Sequence, residues 1–329
     1  MNVSIIVVCL NEEINIDACL NTLINQTYPP DKYEVIVVDG GSTDRTQELV
    51  KGFEKGVSNI RLVVELKKGT AAGRNTGIRA SQYDYVAFID ADCEAPSDWL
   101  ATLVKSYRNR KDLDQKLIAV GGTNIPPEGM GDFLKSVGIA LDSYPGSFSS
   151  IQGRRFKRHI YVPSLSTVNV LYERQKIIEI GYFDETLGSE AEDADINFRL
   201  ITAGYRLYFV PDSFVWHKMR STPKTWLKNM FRYGKGRARL LKRHSQMWAL
   251  SYTLPLIFLV VMTSILLIPF SKLFLLPLIY LPLLFFYSLL QCIKKKAAVL
   301  VFHVLLVYFI QHFGYAAGEV YGLLNPKVR

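Results

Sequence analysis

"EVIVVDGGSTDRTQELVKGF", residues 34–53, packs a strand, a turn and a helix start into one short stretch. "EVIVVD" is a β-branched apolar run of strand length. Gly40 and Gly41 permit a tight turn, and Ser42 to Asp44 supply a helix start ahead of "RTQELVKGF". The unit recurs on either side. "VSIIVV" leads into "NEEINIDACLNTL", with Asn11 as the expected helix start, and "IRLVVEL" and "YVAFID" are two further strands. Such alternation implies an α/β fold with a mostly parallel sheet and right-handed crossovers. Ligands of these sheets bind beyond the carboxyl ends of the strands. Asn11, Glu12, Asp39, Asp90 and Asp92 all fall at that edge.

Two of these carboxylates are close in sequence. In "FIDADCEAP", residues 88–96, Asp90 and Asp92 share a face of an extended chain, about 6–7 Å apart at the backbone. Aspartates also end strands as ordinary turn residues, so a strand end and a site both remain open locally. Asp39 is similarly two-sided. No GxGxxG follows the first strand and no GxxxxGK[ST] occurs, so a phosphate-cradling nucleotide fold is not indicated. Asp39 suits a base or ribose donor, or the cap of the next helix.

At 329 residues the chain has room for one large or two ordinary domains. Its four cysteines form no CxxC pair, which points to reduced, buried thiols rather than a disulfide framework or a zinc site. "MNVSIIVVCLNEE" has no basic n-region and too short an apolar run for a signal peptide. Residues 248–268, 273–293 and 297–318 are apolar stretches of membrane-crossing length, about 20 residues or more each. Ten Lys or Arg and no Asp or Glu lie between His217 and Arg243, so the remainder of this +9 chain is close to neutral. A basic run beside an apolar one suits anionic headgroups, not nucleic acid, and marks the cytoplasmic side. "KKK" at Lys294–Lys296 should share that side. The expectation is a multi-pass protein of the cell membrane with three crossings, residues 1–246 cytoplasmic and the C-terminus outside.

"NEE", "VVDGGSTDRT", "AAGRNTGI", "FIDADCEAP", "GYFDETL", "AEDADINFRL" with "AGYRL", and "VWH" stand in the order found in family-2 inverting glycosyltransferases of the GT-A fold. The chain resembles that family from residue 3 to about 220, and its apolar tail resembles the membrane-bound members. "VVCLNEE" departs where many members carry a proline or tyrosine before the Asn, which touches base stacking, and "GYFDE" replaces Gly-Gly-Phe-Asp-Glu. The resemblance implies a Rossmann-like GT-A domain over 1–220, a basic interface segment over 221–246 and a transmembrane region over 247–329.

It also implies roles. Asn11, Glu12 and Asp39 would hold the base and ribose of a nucleotide sugar (UDP- or GDP-linked), Arg74 would lie near its diphosphate, and Asp90 would face the ribose. Asp92, with His217, would hold Mg2+ or Mn2+, a hard cation that needs few protein ligands when phosphates complete its shell. Asp193 in "SEAEDADINFRL" would be the general base of a single displacement. Read alone, that acidic cluster would merely complement a helix dipole. A polyprenyl phosphate or lipid-linked saccharide is the expected acceptor, since a soluble one gives no reason for apolar spans. A nucleotidyltransferase and a non-catalytic membrane scaffold are the alternative classes.

"STPKTWLKNMFRYGKGRARLLKR", residues 221–243, reads as an amphipathic helix on the membrane surface, broken at Gly234 and Gly236. Arg232, Lys235 and Arg237 are candidates for an acceptor phosphate or for headgroups. "RRFKRH", residues 154–159, is a second basic loop open to either role.

Overall fold

The computed structural model describes residues 1–129, 131–147, 156–219, 221–248 and 250–325. The chain divides into two units, Met1–Pro127 with Ser150–Lys218, and Glu128–Ser149 with Met219–Arg329. The first unit opens β1 (Val3–Cys9), α1 (Ile16–Ile24), β2 (Tyr33–Asp39), α2 (Thr46–Gly56), β3 (Ile60–Val64), α3 (Thr70–Ala80), β4 (Tyr85–Asp90), β5 (Cys93–Glu94), α4 (Trp99–Lys111) and β6 (Leu117–Ile125). After α5 (Asp132–Leu141) and α6 (Tyr144–Ser147), which belong to the second unit, it resumes with β7 (Ile160–Val162), β8 (Val170–Glu173), α7 (Arg174–Glu179), α8 (Glu192–Thr202) and β9 (Arg206–His217).

Nine strands form one sheet among the described residues, in the order β3-β2-β1-β4-β8-β6-β9-β5, with β7 also paired to β9. The first four are parallel to one another, as their crossover helices require. Beyond β4 the sheet is mixed, because β8 enters antiparallel between β4 and β6, and β5 and β7 run antiparallel to β9. The expected mostly parallel sheet therefore stands, with β6 and β9 also parallel and short antiparallel strands set among the parallel ones. The antiparallel strands β5, β7 and β8 are two to four residues long, too short to carry a pattern in sequence.

Alternation along β1 divides its side chains between the two faces of the sheet. Val3, Ile5, Val7 and Cys9 enter the core shared with α1 and α4, whereas Ile6 enters the one shared with α3 and α8. Helix α3 lies close on β1 because Gly73 and Gly77 face it. A Cβ on Gly77 would stand 2.4 Å from Ile6 Cγ2, and one on Gly73 would stand 2.7 Å from Val8 Cγ1. The helix expected to start at Asn11 starts instead at Ile16. Asn11 sits at φ 56°, outside helical geometry, and its side chain is taken up by the neighbouring loop.

The second unit adds α9 (Pro223–Arg243), α10 (Leu250–Thr263), α11 (Tyr280–Lys294) and α12 (Val301–Leu324). Val304, Val307 and Tyr308 of α12 share a core with Val137 and Ala140 of α5, Trp226 and Met230 of α9, and Leu284 and Cys292 of α11. Residues 128–149, read from sequence as part of a domain spanning 1–220, are thus packed with the helical unit. Their apolar face has its partners there.

Helix α9 is unbroken. Pro at its first turn and a capping box between Thr222 and Thr225 define its start. Gly234 does not interrupt it but admits the Tyr315 carbonyl, which would lie 1.9 Å from an added Cβ. Of the three expected spans, two appear as helices long and apolar enough to cross a membrane by length and composition alone. These are Lys272–Lys294 and Ala298–Leu324, with mean hydropathies of 2.2 and 1.7. Over 248–268 the chain is helical from Leu250 to Thr263 and continues directly into Ser264–Leu267. Thr263 and Ser264 hydroxyls bond back to the Leu259, Val260 and Val261 carbonyls, competing with the helical ladder, and the chain tightens to 3₁₀ over Ser264–Leu267. Arg154 and Arg155 of the second basic loop lie outside the described residues.

Candidate active site

Sheet register brings the acidic positions to one edge. Cys9 pairs with Asp39 across β1 and β2, and Val8 pairs with Asp90 across β1 and β4. The loops that follow these strands therefore open on the same side, at the carboxyl ends.

Asp39 is fully buried and organises its own loop. Its Oδ1 accepts from the Gly41 and Ser42 amides at 3.0 and 2.8 Å and from Gln47 Nε2 at 2.7 Å, and its Oδ2 accepts from Ser42 Oγ at 2.5 Å. Burial alone would raise this carboxyl, but those bonds from Ser42, Gln47 and Gly41 outweigh it and hold the group below the usual range. These bonds order the turn ahead of α2, whose N-cap is Arg45 and not Asp39. The loop after β1 is laced to the same turn. Asn11 donates its amide to Ser42 Oγ at 2.8 Å and accepts from the Thr43 amide at 2.8 Å, while the Glu12 amide donates to Thr46 Oγ1 at 2.8 Å.

Arg74 is the centre of the next group. It is buried in α3, donates through Nη1 to Glu192 Oε1 at the start of α8, and through Nη2 reaches Asp90 Oδ1 at 3.4 Å. Thr70 Oγ1 donates to the same Glu192 oxygen at 2.8 Å. Burial works against the guanidinium charge, but Glu192, Asp90 and Asp193 more than compensate and raise its pKa. The Asp90 carboxyl is pushed up by burial; Arg74 pulls it down and Asp92 adds to the rise. Arg74 thus ties the end of "FIDAD" to the start of "EDAD". The sequence offers Glu192 only as a substitute for Asp193 as base; its pairing with Arg74 is visible only in the fold.

Asp92 and His217 meet as the resemblance implies, with His217 Nε2 3.3 Å from Asp92 Oδ1. Antiparallel pairing of β5 with β9 sets Cys93 opposite His217, and directly opposed residues share a face. One ligand atom each from Asp92, Cys93 and His217 lies within 4.8 Å of the others. Asn124 Nδ2 touches His217 Nδ1 at 2.8 Å. Such an outer contact fixes the ring of a metal-bound histidine, leaving Nε2 toward Asp92. The Asp92 carboxylate and His217 imidazole suit a divalent cation, whereas burial, with Asp92 beside it, pushes the Cys93 thiol well above its usual range and keeps it protonated. Cys93 and Asn124 were missed from sequence; adjacency to Asp92 was the available signal for Cys93, while Asn124 reaches His217 only through the pairing of β6 with β9.

In α8 the three carboxylates separate. Glu192 is held by Arg74 and Thr70, and buried Asp195 accepts from Arg199 Nε at 2.8 Å. Asp193 is half-buried, its Oδ1 accepting from the Ala194 amide at 2.7 Å. Arg232, Lys235 and Arg237 belong to the helical unit, where Arg237 Nε donates to Tyr315 Oη at 3.2 Å.

Residues 4–177 match the family described as glycosyl transferase family 2. Glycosyltransferase AglE of Haloferax volcanii is 34% identical over 244 residues, which is 72% of this chain and 73% of that protein. A Methanococcus voltae protein named dolichyl N-acetyl-alpha-D-glucosaminyl phosphate 3-beta-D-2,3-diacetamido-2,3-dideoxy-beta-D-glucuronosyltransferase is 28% identical, over 73% of this chain and 74% of its own. Mannosyltransferase PcManGT from Pyrobaculum calidifontis, solved with GDP-Man and Mn2+, has a TM-score of 0.60 at 20% identity, covering 94% of this chain and 86% of that one. That likeness speaks to the fold, which is GT-A. The chain belongs to glycosyl transferase family 2 and is a glycosyltransferase.

Proposed function

From that membership we propose that the chain performs a metal-dependent, inverting transfer of a sugar from a nucleotide-sugar donor to a lipid-linked acceptor at the cytoplasmic face of the membrane. The observation that carries this reading is the Arg74 bridge between Asp90 and Glu192, which joins the "FIDAD" strand end to the start of "EDAD" in one site. A cation such as Mg2+ or Mn2+ held by Asp92 and His217, with Cys93 beside them, would offset the charge of the departing diphosphate.

The remaining steps belong to this chain's residues. Asn11, Glu12 and Asp39 bind the base and ribose, and Asp39 also organises the turn that keeps the other two in place. Asp90 faces the ribose, and Arg74 keeps a cation on the donor side. On a lipid-linked saccharide, Asp193 takes the proton from the acceptor hydroxyl as that oxygen attacks the anomeric carbon and the bond to the nucleoside diphosphate breaks; a polyprenyl phosphate would attack through an already ionised oxygen and need no base. Inversion needs no enzyme nucleophile. Asp193 is only half-buried whereas Glu192 and Asp195 are buried, which favours it over its neighbours as this base. The name of the Methanococcus relative, built on a dolichyl-linked sugar phosphate, supports an acceptor of polyprenyl-phosphate or lipid-linked-saccharide type. Arg232, Lys235 and Arg237 are proposed to meet the acceptor phosphate.

Titrating nucleoside diphosphate with Mn2+ calorimetrically into Asp92→Ala and Asp193→Asn, beside a transfer assay, tests the assignment. Asp92→Ala should lose metal-dependent donor binding and turnover together. Asp193→Asn should bind donor within a few fold of the parent while kcat falls ~10²–10⁴-fold. Parent-like transfer by Asp193→Asn would remove it as the base, and normal donor binding by Asp92→Ala would reduce "FIDAD" to a strand end.

A further inference from the structure

We propose that α12 does not cross the membrane but lies in the plane of its surface, so that both of its ends stay on the side of the basic helix α9. The reason is what packs against it from end to end. Just before its start, Lys295 Nζ is ion-paired with Asp142, at the end of α5. In its first half, Tyr308 Oη and Ser143 Oγ are 2.8 Å apart, and His312 Nε2 lies 3.0 Å from the Pro145 carbonyl.

The second half is sealed to α9 through glycines. An added Cβ on Gly314 would meet Leu227 Cδ1 at 2.9 Å, on Gly318 the Phe231 carbonyl oxygen at 2.0 Å, and on Gly322 Ala238 Cβ at 2.6 Å. These partners advance along α9 as the glycines advance along α12, so the two helices run parallel. At the far end Lys242 Nζ donates to the Gly322 and Asn325 carbonyls at 2.7 and 2.9 Å.

Helix α9 carries eight Lys or Arg and no acidic residue. If α12 spanned the bilayer, α9 would have to descend with it and take those charges into hydrocarbon, where each is strongly disfavoured. Glu319 and Gln311 point the same way. Both are buried among the helices with no hydrogen-bond partner for their side-chain oxygens, which is costly beneath hydrocarbon and eased where water enters.

Phe302, Leu306 and Leu324 are exposed toward the two ends of α12, while Phe258 and Tyr280 cover its middle at Phe309, His312 and Phe313. Exposed apolar ends beside a basic amphipathic helix suit a seat at the headgroup boundary. The occupant of those exposed positions is the lipid surface. What remains to enter the bilayer is the hairpin formed by Thr253–Leu267 and Lys272–Lys294, whose outward side chains are nearly all Leu, Ile, Val and Phe. This arrangement replaces the three crossings and outside C-terminus expected from sequence.

The test places single cysteines at the two ends of α12, Lys294→Cys and Asn325→Cys, with Lys224→Cys on α9 and Lys272→Cys at the hairpin tip as references. The four native cysteines are buried, and the parent's labelling sets the background. Full-length protein is labelled with a membrane-impermeant maleimide in intact cells and in inside-out vesicles. Lys294→Cys and Asn325→Cys should label from the same side as Lys224→Cys, and Lys272→Cys from the opposite side. Labelling of Lys294→Cys and Asn325→Cys from opposite sides would overturn the in-plane helix. Labelling of Lys272→Cys together with Lys224→Cys would overturn the crossing hairpin.

Discussion

Arg74 has little exposed surface and two carboxylates, so its removal strands a charge rather than merely deleting a contact. Arg74→Ala leaves Glu192 buried with only Thr70 as a hydrogen-bond donor among the contacts described above. Breaking such a buried pair costs about 3–5 kcal/mol, to be read from the shift in denaturant midpoint. Arg74→Lys should recover only part, because a single ammonium cannot reproduce the fork that reaches Glu192 and Asp90 at once. Asp39 makes a pH prediction. Its carboxyl is held below the ordinary range in the folded state. The stability it contributes is therefore complete above the unfolded value of about 3.9 and is lost as pH falls through the lower folded value. Stability should be insensitive to this group from about pH 5 to 8. In acid titrations of unfolding, the parent's steep loss below about pH 4 should be shallower in Asp39→Asn.

Helices show the same logic through their glycines. Gly318 of α12 faces the Phe231 carbonyl, and backbone cannot step aside as a side-chain tip can. Gly318→Ala should destabilise by about 1–3 kcal/mol or more through forced separation of α9 and α12. Gly52 in α2 is the control, because nothing lies within 4 Å of its added Cβ. There Ala should stabilise by about 1 kcal/mol through helix propensity alone. Denaturant unfolding of the two variants beside the parent should move in opposite directions. If both move the same way, the close approach at Gly318 does not limit packing.

For the molecule as a whole, a ligand that binds only the folded chain must raise its stability. A cognate nucleotide sugar at 100 times its Kd, with Mn2+, should add about 2.7 kcal/mol. Chelating the metal should abolish that gain if Asp92 and His217 act through a cation. A screen of nucleotide sugars by thermal shift, with and without chelator, measures both effects and identifies the donor base. A full shift that survives chelation would mean that donor binding does not depend on the metal.

Several features were determined by the sequence alone. The α/β class followed from β-branched runs alternating with amphipathic ones, because period-2 and period-3.6 patterns are local. The motif series from "NEE" to "VWH" identified the family, and "FIDAD" and "EDAD" marked the carboxylates. The basic segment beside the apolar tail marked a membrane-associated end. Other features became visible only in the folded chain, since they depend on residues far apart in sequence. Arg74 and Glu192 are 118 positions apart, and their pairing rests on α3 lying close against β1. Asn124 reaches His217 through strand register, which no local pattern encodes. Asp39 organises its own turn through Gly41, Ser42 and Gln47, bonds that no local pattern displays. The neighbours of α12 are the sharpest case. Hydropathy counts what a helix carries, and only packing shows that the basic helix α9 runs beside the second half of α12.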